Sequence, residues 1–187
     1  MYLTLTSLSR RGKPSQYPLV LLTSWLGNLL GALFAAYTFS TLTSTLQDEP
    51  FRSGILSQVD EDILSLPWHQ IFVRAIGCGW LVTLAMFLGT QNKDGVSKFL
   101  ALHLPFMISC VAHFPHTVEY MYLAGVGMML GSEMSVGQYL WKCLLPITLG
   151  NCVGGGVFTG GYLWFVNLKM AEGGKDDGGM EDEEYRD

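Results

Sequence analysis

The chain has 187 residues, 49% of them hydrophobic and only 14% charged, with a formal net charge of −5 at pH 7. That acidic balance offers no basic surface for nucleic acid, and four cysteines without paired short spacing exclude a disulfide framework. A soluble helical protein is excluded as well, because no Lys, Arg, Asp or Glu occurs from Pro14 to Gln47, Ala75 to Asn92, Phe99 to Val118 or Cys143 to Leu168, and about 20 apolar residues cross the hydrocarbon core.

Residues 1–17 are expected to be a cytoplasmic N-terminal segment, polar and basic over Met1 to Gly12 and without the apolar core of a cleavable signal peptide. The first span is expected at about 18–40 and carries Gly27-Asn28-Leu29-Leu30-Gly31. An outer loop rich in Ser, Thr and acids, with Asp48, Glu49, Asp60, Glu61 and Asp62, then reaches Pro67. The second span, about 68–90, contains Arg74, which can snorkel outward along its stem or pair with the acidic loop.

The third segment, about 98–131, is expected to break near 113–116 at His113-Phe114-Pro115-His116. Pro115 removes a backbone donor and clashes with the preceding turn, and imidazoles are poor company for lipid. Non-helical backbone at membrane depth survives only where protein buries it or water lines it, so this break is a candidate substrate site. The last span, about 141–168, repeats the signature as Gly150-Asn151-Cys152-Val153-Gly154. Gly150 and Gly154 have the spacing of a close-packing helix face, while the Asn151 amide needs a partner inside the membrane. Residues 169–187 read as an acidic, disordered cytoplasmic tail with too little apolar content to fold.

Arg10, Arg11 and Lys13 precede the first span, Lys93 and Lys98 flank the second turn, and Lys169 and Lys175 follow the last span. By the positive-inside rule, four crossings leave both termini cytoplasmic, with the lipid bilayer as the surrounding partner and the plasma membrane as the expected location. Cys78, Cys110, Cys143 and Cys152 lie in or beside apolar windows and read as small hydrophobes, with no metal and no cofactor assigned. His69 and His103 read as structural.

The residues also carry a specific resemblance. Arg74-Ala75-Ile76-Gly77-Cys78-Gly79-Trp80-Leu81-Val82, then His116-Thr117-Val118 with Met121 and Tyr122, then Leu145-Pro146-Ile147-Thr148-Leu149-Gly150-Asn151 with Gly154-Gly155, look like the formate/nitrite transporter family. Met1-Tyr2-Leu3-Thr4, Leu8-Ser9-Arg10-Arg11 and the Gly27-to-Leu33 stretch resemble that family's third-helix region. The resemblance implies an all-α polytopic helix bundle with an aquaporin-like inverted-repeat fold. It also implies pentamers with a pore through each protomer, and a chain that corresponds to helices three to six, Met1 falling just after the second, so that the fold is incomplete.

His116 matches the family's central histidine, and Phe114 matches the aromatic beside it, an apolar constriction. The implied substrate pathway therefore includes His116, Phe114, Thr117 and Asn151, with Gly27, Asn28, Gly31, Gly150 and Gly154 as the structural motif. Its partners would be small anions and protons. Several positions differ from the family pattern: His113 and Pro115 stand where a glycine and a glutamate are usual, Gly79 and Tyr120 stand where asparagines are expected, and Glu61 and Asp62 occupy the neighbourhood of a lysine typical of the fourth helix's outer entrance.

Three functions compete. The first is transport, without enzymatic turnover, of formate, nitrite or related weak-acid anions through a pore with a central histidine. The second is a truncated, non-transporting family member that serves as a structural or interaction subunit. The third, a membrane metalloenzyme, would use His113-x-x-His116 with His103, although Pro115 lies between the first two and no carboxylate accompanies them.

Overall fold

The computed structural model describes residues 16–166. Of the expected N-terminal segment only residues 16 and 17 fall in that range, and the acidic tail over 169–187 lies outside the described residues, as do Arg10, Arg11, Lys13, Lys169 and Lys175. Within it the chain is helical, without strands. Helix α1 spans Tyr17–Thr41 and ends in a π-helical turn over Ala36–Thr41. Pro18 sits in its first turn, where a missing N–H costs nothing.

Helix α2 runs over Phe51–Val59 and continues as a π-helical turn over Asp60–Leu64. This corrects the expectation of a loop reaching Pro67. The polar and acidic composition hides a short helix whose Val59 and Ile63, four residues apart, are fully buried. Helix α3 is Trp68–Gln91, begun by the extended Pro67. Helix α4 is Gly95–Val111, whose first amides at Val96 and Ser97 donate to the Asp94 carboxylate. After the break, helix α5 is Thr117–Met129. Helix α6, Val136–Val166, opens on a Ser135/Gln138 capping box and contains π-helical turns over Tyr139–Leu144 and Val153–Gly161.

Helices α1, α3 and α6 are each long and apolar enough to cross a membrane. Helices α4 and α5 have 17 and 13 residues, about 25 and 20 Å at 1.5 Å per residue, so neither spans a core of about 30 Å alone. Together they form one interrupted segment.

Helix α3 is the centre of the packing, with α4 on one side and α6 on the other, while α1 lies along α5. The α3–α6 approach depends on small residues. A Cβ added at Gly150 would meet the Phe72 carbonyl and Ala75, and one at Gly154 would fall on the Ile76 carbonyl and the Trp80 amide. Only glycine allows backbones this close. The main core gathers Val59, Ile63, Ile71, Met121, Leu144 and Ile147, all buried. Outward faces expose Leu19, Leu22, Leu30 and Phe34 on α1 and Phe99, Leu104, Met107 and Ile108 on α4, large apolar surfaces that suit a bilayer rather than water.

Candidate functional site

Irregular chain in a membrane must find partners for its backbone, and the end of α4 finds them within its own last turn. As α4 ends, the Ala112 amide donates to the Ile108 carbonyl at 2.9 Å, His113 to Cys110 at 3.1 Å and Phe114 to Ser109 at 3.0 Å. His113 turns the chain in the left-handed region, at φ 53°. Glycine takes that conformation freely and other residues do so rarely, which gives a physical sense to the glycine the family pattern carries there. His116 is extended, and its carbonyl accepts from the Tyr120 amide at 3.0 Å as α5 begins.

No side chain of the break caps α5. The cap comes from α6: Asn151 Oδ1 accepts from the Thr117 amide at 2.9 Å and from the Thr117 hydroxyl at 3.0 Å. Asn151 Nδ2 donates to the Ala75 carbonyl at 2.8 Å and the Pro115 carbonyl at 3.1 Å. One amide thus ties α3, the break and α5 to α6. Its backbone lies so close to Gly79 that a side chain there would collide with it, so this packing leaves no room for the asparagine the family pattern would place at that position.

A cavity of about 960 Å³ lies against this knot, lined by His116, Thr117 and Asn151 together with Asn28 and Trp25 of α1 and Thr148 of α6. The indole of Trp25 donates to the Thr148 hydroxyl at 3.0 Å and joins α1 to α6 along the wall. Both asparagines of the repeated signature therefore reach the same space. Of the remaining residues singled out in the sequence, Phe114 does not line this cavity, and its ring lies over Gly77. Gly150 and Gly154 are packed against α3, and Gly27 and Gly31 have nothing within 4 Å of where a Cβ would stand.

A second cavity, of about 320 Å³, is lined by Glu61, Asp62, Arg74, Ala112 and His113. It shares no lining residue with the first. Asp62 is its anchor, a carboxylate only 4% exposed. The Tyr120 hydroxyl donates to its Oδ2 at 2.5 Å, His113 Nδ1 lies 3.2 Å from Oδ1, and Arg74 Nη1 lies 3.7 Å from Oδ1. Such a carboxylate is tolerable away from water only with several partners of this kind.

Sequence reasoning offered pairing with the acidic loop as one option for Arg74, and the pairing is present. Asp62 and Tyr120 it missed as site residues. The only signal was the coincidence of an acidic run with a lone arginine in the next span. His103 is elsewhere, stacked on Phe99 at a centroid distance of 3.9 Å. Among the described residues no group of three His, Cys, Asp or Glu is placed to hold a metal ion.

Residues 1–165 match the sequence model of the formate/nitrite transporter family. A protein of Methanothermobacter thermautotrophicus named "Probable formate transporter" is 34% identical over 182 residues, covering 90% of this chain and 66% of its own length. The "Formate-nitrite transporter" of Entamoeba histolytica is 28% identical over 144 residues, covering 77% of this chain and 40% of its own. The "Formate channel BtFdhC" of Bacillus thuringiensis is 28% identical over 137 residues, with 71% and 50% covered. The chain thus spans about two thirds of the first relative and half or less of the others. Among solved structures, an "FNT family ion channel" superposes with a TM-score of 0.77 at 27% identity, covering 89% of this chain and 66% of that one. A "Pentameric formate channel with formate bound" gives 0.70 at 23% identity, covering 84% and 69%, a likeness of fold alone.

Proposed function

The chain belongs to the formate/nitrite transporter family of membrane proteins, and from that premise we propose that it conducts small monovalent weak-acid anions, formate or nitrite among them, along the cavity that His116 lines. The observation that carries this reading is the convergence of His116, Thr117, Asn151 and Asn28 on one cavity at a break in a membrane-embedded helix. Moving a bare anion through apolar protein is costly, since the charge loses its hydration. A histidine on the wall of the pathway lowers that cost by donating a hydrogen bond to the anion and, when protonated, by giving it a proton so that a neutral acid passes. Thr117 and Asn151 hold the backbone that presents His116, and Phe114 serves as the apolar constriction beside it. Both termini lie in the cytoplasm, the host is the plasma membrane, and the assembly is a pentamer with protons as co-substrate.

Uptake of labelled formate into liposomes holding the purified chain, at several pH values, tests the reading. His116→Ala is expected to lower uptake by about 10²-fold, the low end for removal of a positioned proton-transfer group. Undiminished uptake in a folded His116→Ala protein would reject the role.

A second reading is favoured by one specific observation. The α1 face at Gly27 and Gly31 is bare, and α1 forms one wall of the cavity through Trp25 and Asn28. On that reading the chain is an interaction subunit whose α1 face is covered by further helices, and the described residues alone would not seal a pathway. The same liposomes separate the two: no uptake by the chain alone, restored by a full-length family member, supports the subunit.

A further inference from the structure

We propose that His113 is a second proton-exchanging station, on the other side of Phe114-Pro115 from His116, and that Asp62 is the residue that positions it. The inference rests on the transport reading of the site. His113 and His116 flank a two-residue stretch, yet they line different cavities with no lining residue in common. Phe114 and Pro115 separate the two imidazoles along the chain, and neither lines either cavity.

His113 is built to exchange protons. Its Nδ1 is turned to Asp62, 3.2 Å from Oδ1 and 3.4 Å from Oδ2, so the Nδ1–H form donates to the carboxylate and Nε2 is left as the exchanging atom. Asp62 is buried, whereas the His113 side chain is 55% exposed: one end of the dyad is fixed in protein and the other is open to the cavity. Holding a non-glycine residue at φ 53° strains the backbone, and the bond to Asp62 offsets that strain.

The charges around the dyad come from every element packed on it. Helix α2 supplies Asp62 and Glu61, α3 supplies Arg74, and α5 supplies Tyr120 and Glu119, while Cys110 lies at the end of α4. Arg74 pairs with Asp62 at 3.7 Å, which leaves Glu61 and His113 as the other ionisable side chains on this cavity's wall. The transfer balances simply. The Nε2–H bond of the imidazolium breaks, an O–H bond forms on the entering carboxylate or nitrite oxygen, and a neutral acid and a neutral imidazole result. A hydronium ion from the bulk then reprotonates Nε2 at the cavity mouth and leaves water.

His113→Gly tests the station, since glycine adopts the required backbone without strain. Formate uptake by this variant is expected to fall about tenfold near pH 8, where bulk protons are scarce, and to stay within about twofold of the parent near pH 5. A second measurement does not depend on transport: deuterium exchange at the imidazole C2 of each histidine, read by mass spectrometry on the full chain across pH. Added formate is expected to move the His113 profile, Asp62→Asn to move it as well, and neither to move that of exposed His69. An uptake profile for His113→Gly that superimposes on the parent, or a His113 exchange profile indifferent to formate, overturns the inference. If the parent carries no formate while formate still moves the His113 profile, the transport reading fails and the station stands.

Discussion

In α6 a Cβ on Gly150 or Gly154 would land on the backbone of α3, whereas in α1 the matching Gly27 and Gly31 have nothing within 4 Å. The amides between them differ as sharply. Asn151 makes four hydrogen bonds that join three other parts of the chain, and Asn28 lines the cavity from the side. The same Gly-Asn-x-x-Gly is therefore a finished joint in one helix and an open face in the other. A glycine pair specifies how closely a neighbour can come, and only the rest of the fold says whether one does.

Substitutions can break that contrast. Gly154→Leu should be the most damaging, because its side chain has backbone rather than flexible atoms in its way. A loss of about 3 kcal/mol or more, at the top of the range for overpacking, is expected in thermal unfolding of the purified protein. Gly31→Leu should stay within about 0.5 kcal/mol. Equal damage from both would mean that the α1 face is covered in the assembled protein as the α6 face is covered within the chain.

Asn151→Ala removes the partner of the Thr117 amide and the Pro115 carbonyl and the second donor to the helical Ala75 carbonyl, and should cost about 2–3 kcal/mol, against about 0.5 kcal/mol or less for Asn28→Ala. Within α1 itself the contrast recurs, since no residue of Tyr17–Ala35 is buried while Ala36 and Ser40 are. Tyr122→Phe, which removes the 2.6 Å bond to the buried Ser40 hydroxyl, should cost about 1 kcal/mol.

The smallest effect compares the two starts of the broken segment. Helix α5 is capped by Asn151 from another helix and α4 by its own Asp94. The bonds from Ser97, then from Val96, hold the Asp94 carboxyl below its ordinary range. A carboxyl with a depressed folded pKa stabilises fully above its unfolded value of about 3.9 and ceases to do so as pH falls through the lower folded value. Asp94→Ala should therefore lower the unfolding temperature slightly at neutral pH, and the difference should vanish in strong acid. A difference that persists there would point to a packing role for the side chain.

Much of the architecture was legible in the sequence because membrane insertion writes itself in composition. Charge-free windows mark the long helices, and proline between histidines marks the break. Helix α2 was not legible, since its Ser, Gln and acidic residues look like a solvated loop and its buried Val59, Asp62 and Ile63 make too short a pattern to stand out. The partners of Asn151 were equally hidden. A lone amide in an apolar helix announces that it needs hydrogen bonds, but Thr117 is 34 residues away and Ala75 is 76, so only the tertiary fold brings them together. Asp62 shows the limit most clearly, because nothing in an acidic run says which carboxylate turns inward.

Cys152 provides the most direct test of the central claim, that the cavity beside His116 is the anion pathway. Its thiol lies on that cavity's wall, and a Cys110→Ser background removes the other exposed cysteine. A negatively charged methanethiosulfonate reagent should label Cys152 and lower formate uptake into liposomes by about tenfold or more, since a fixed anion in the passage opposes a mobile one. Cys152→Ser should be indifferent to the reagent. Complete labelling of Cys152, verified by intact mass, with uptake undiminished would contradict the account.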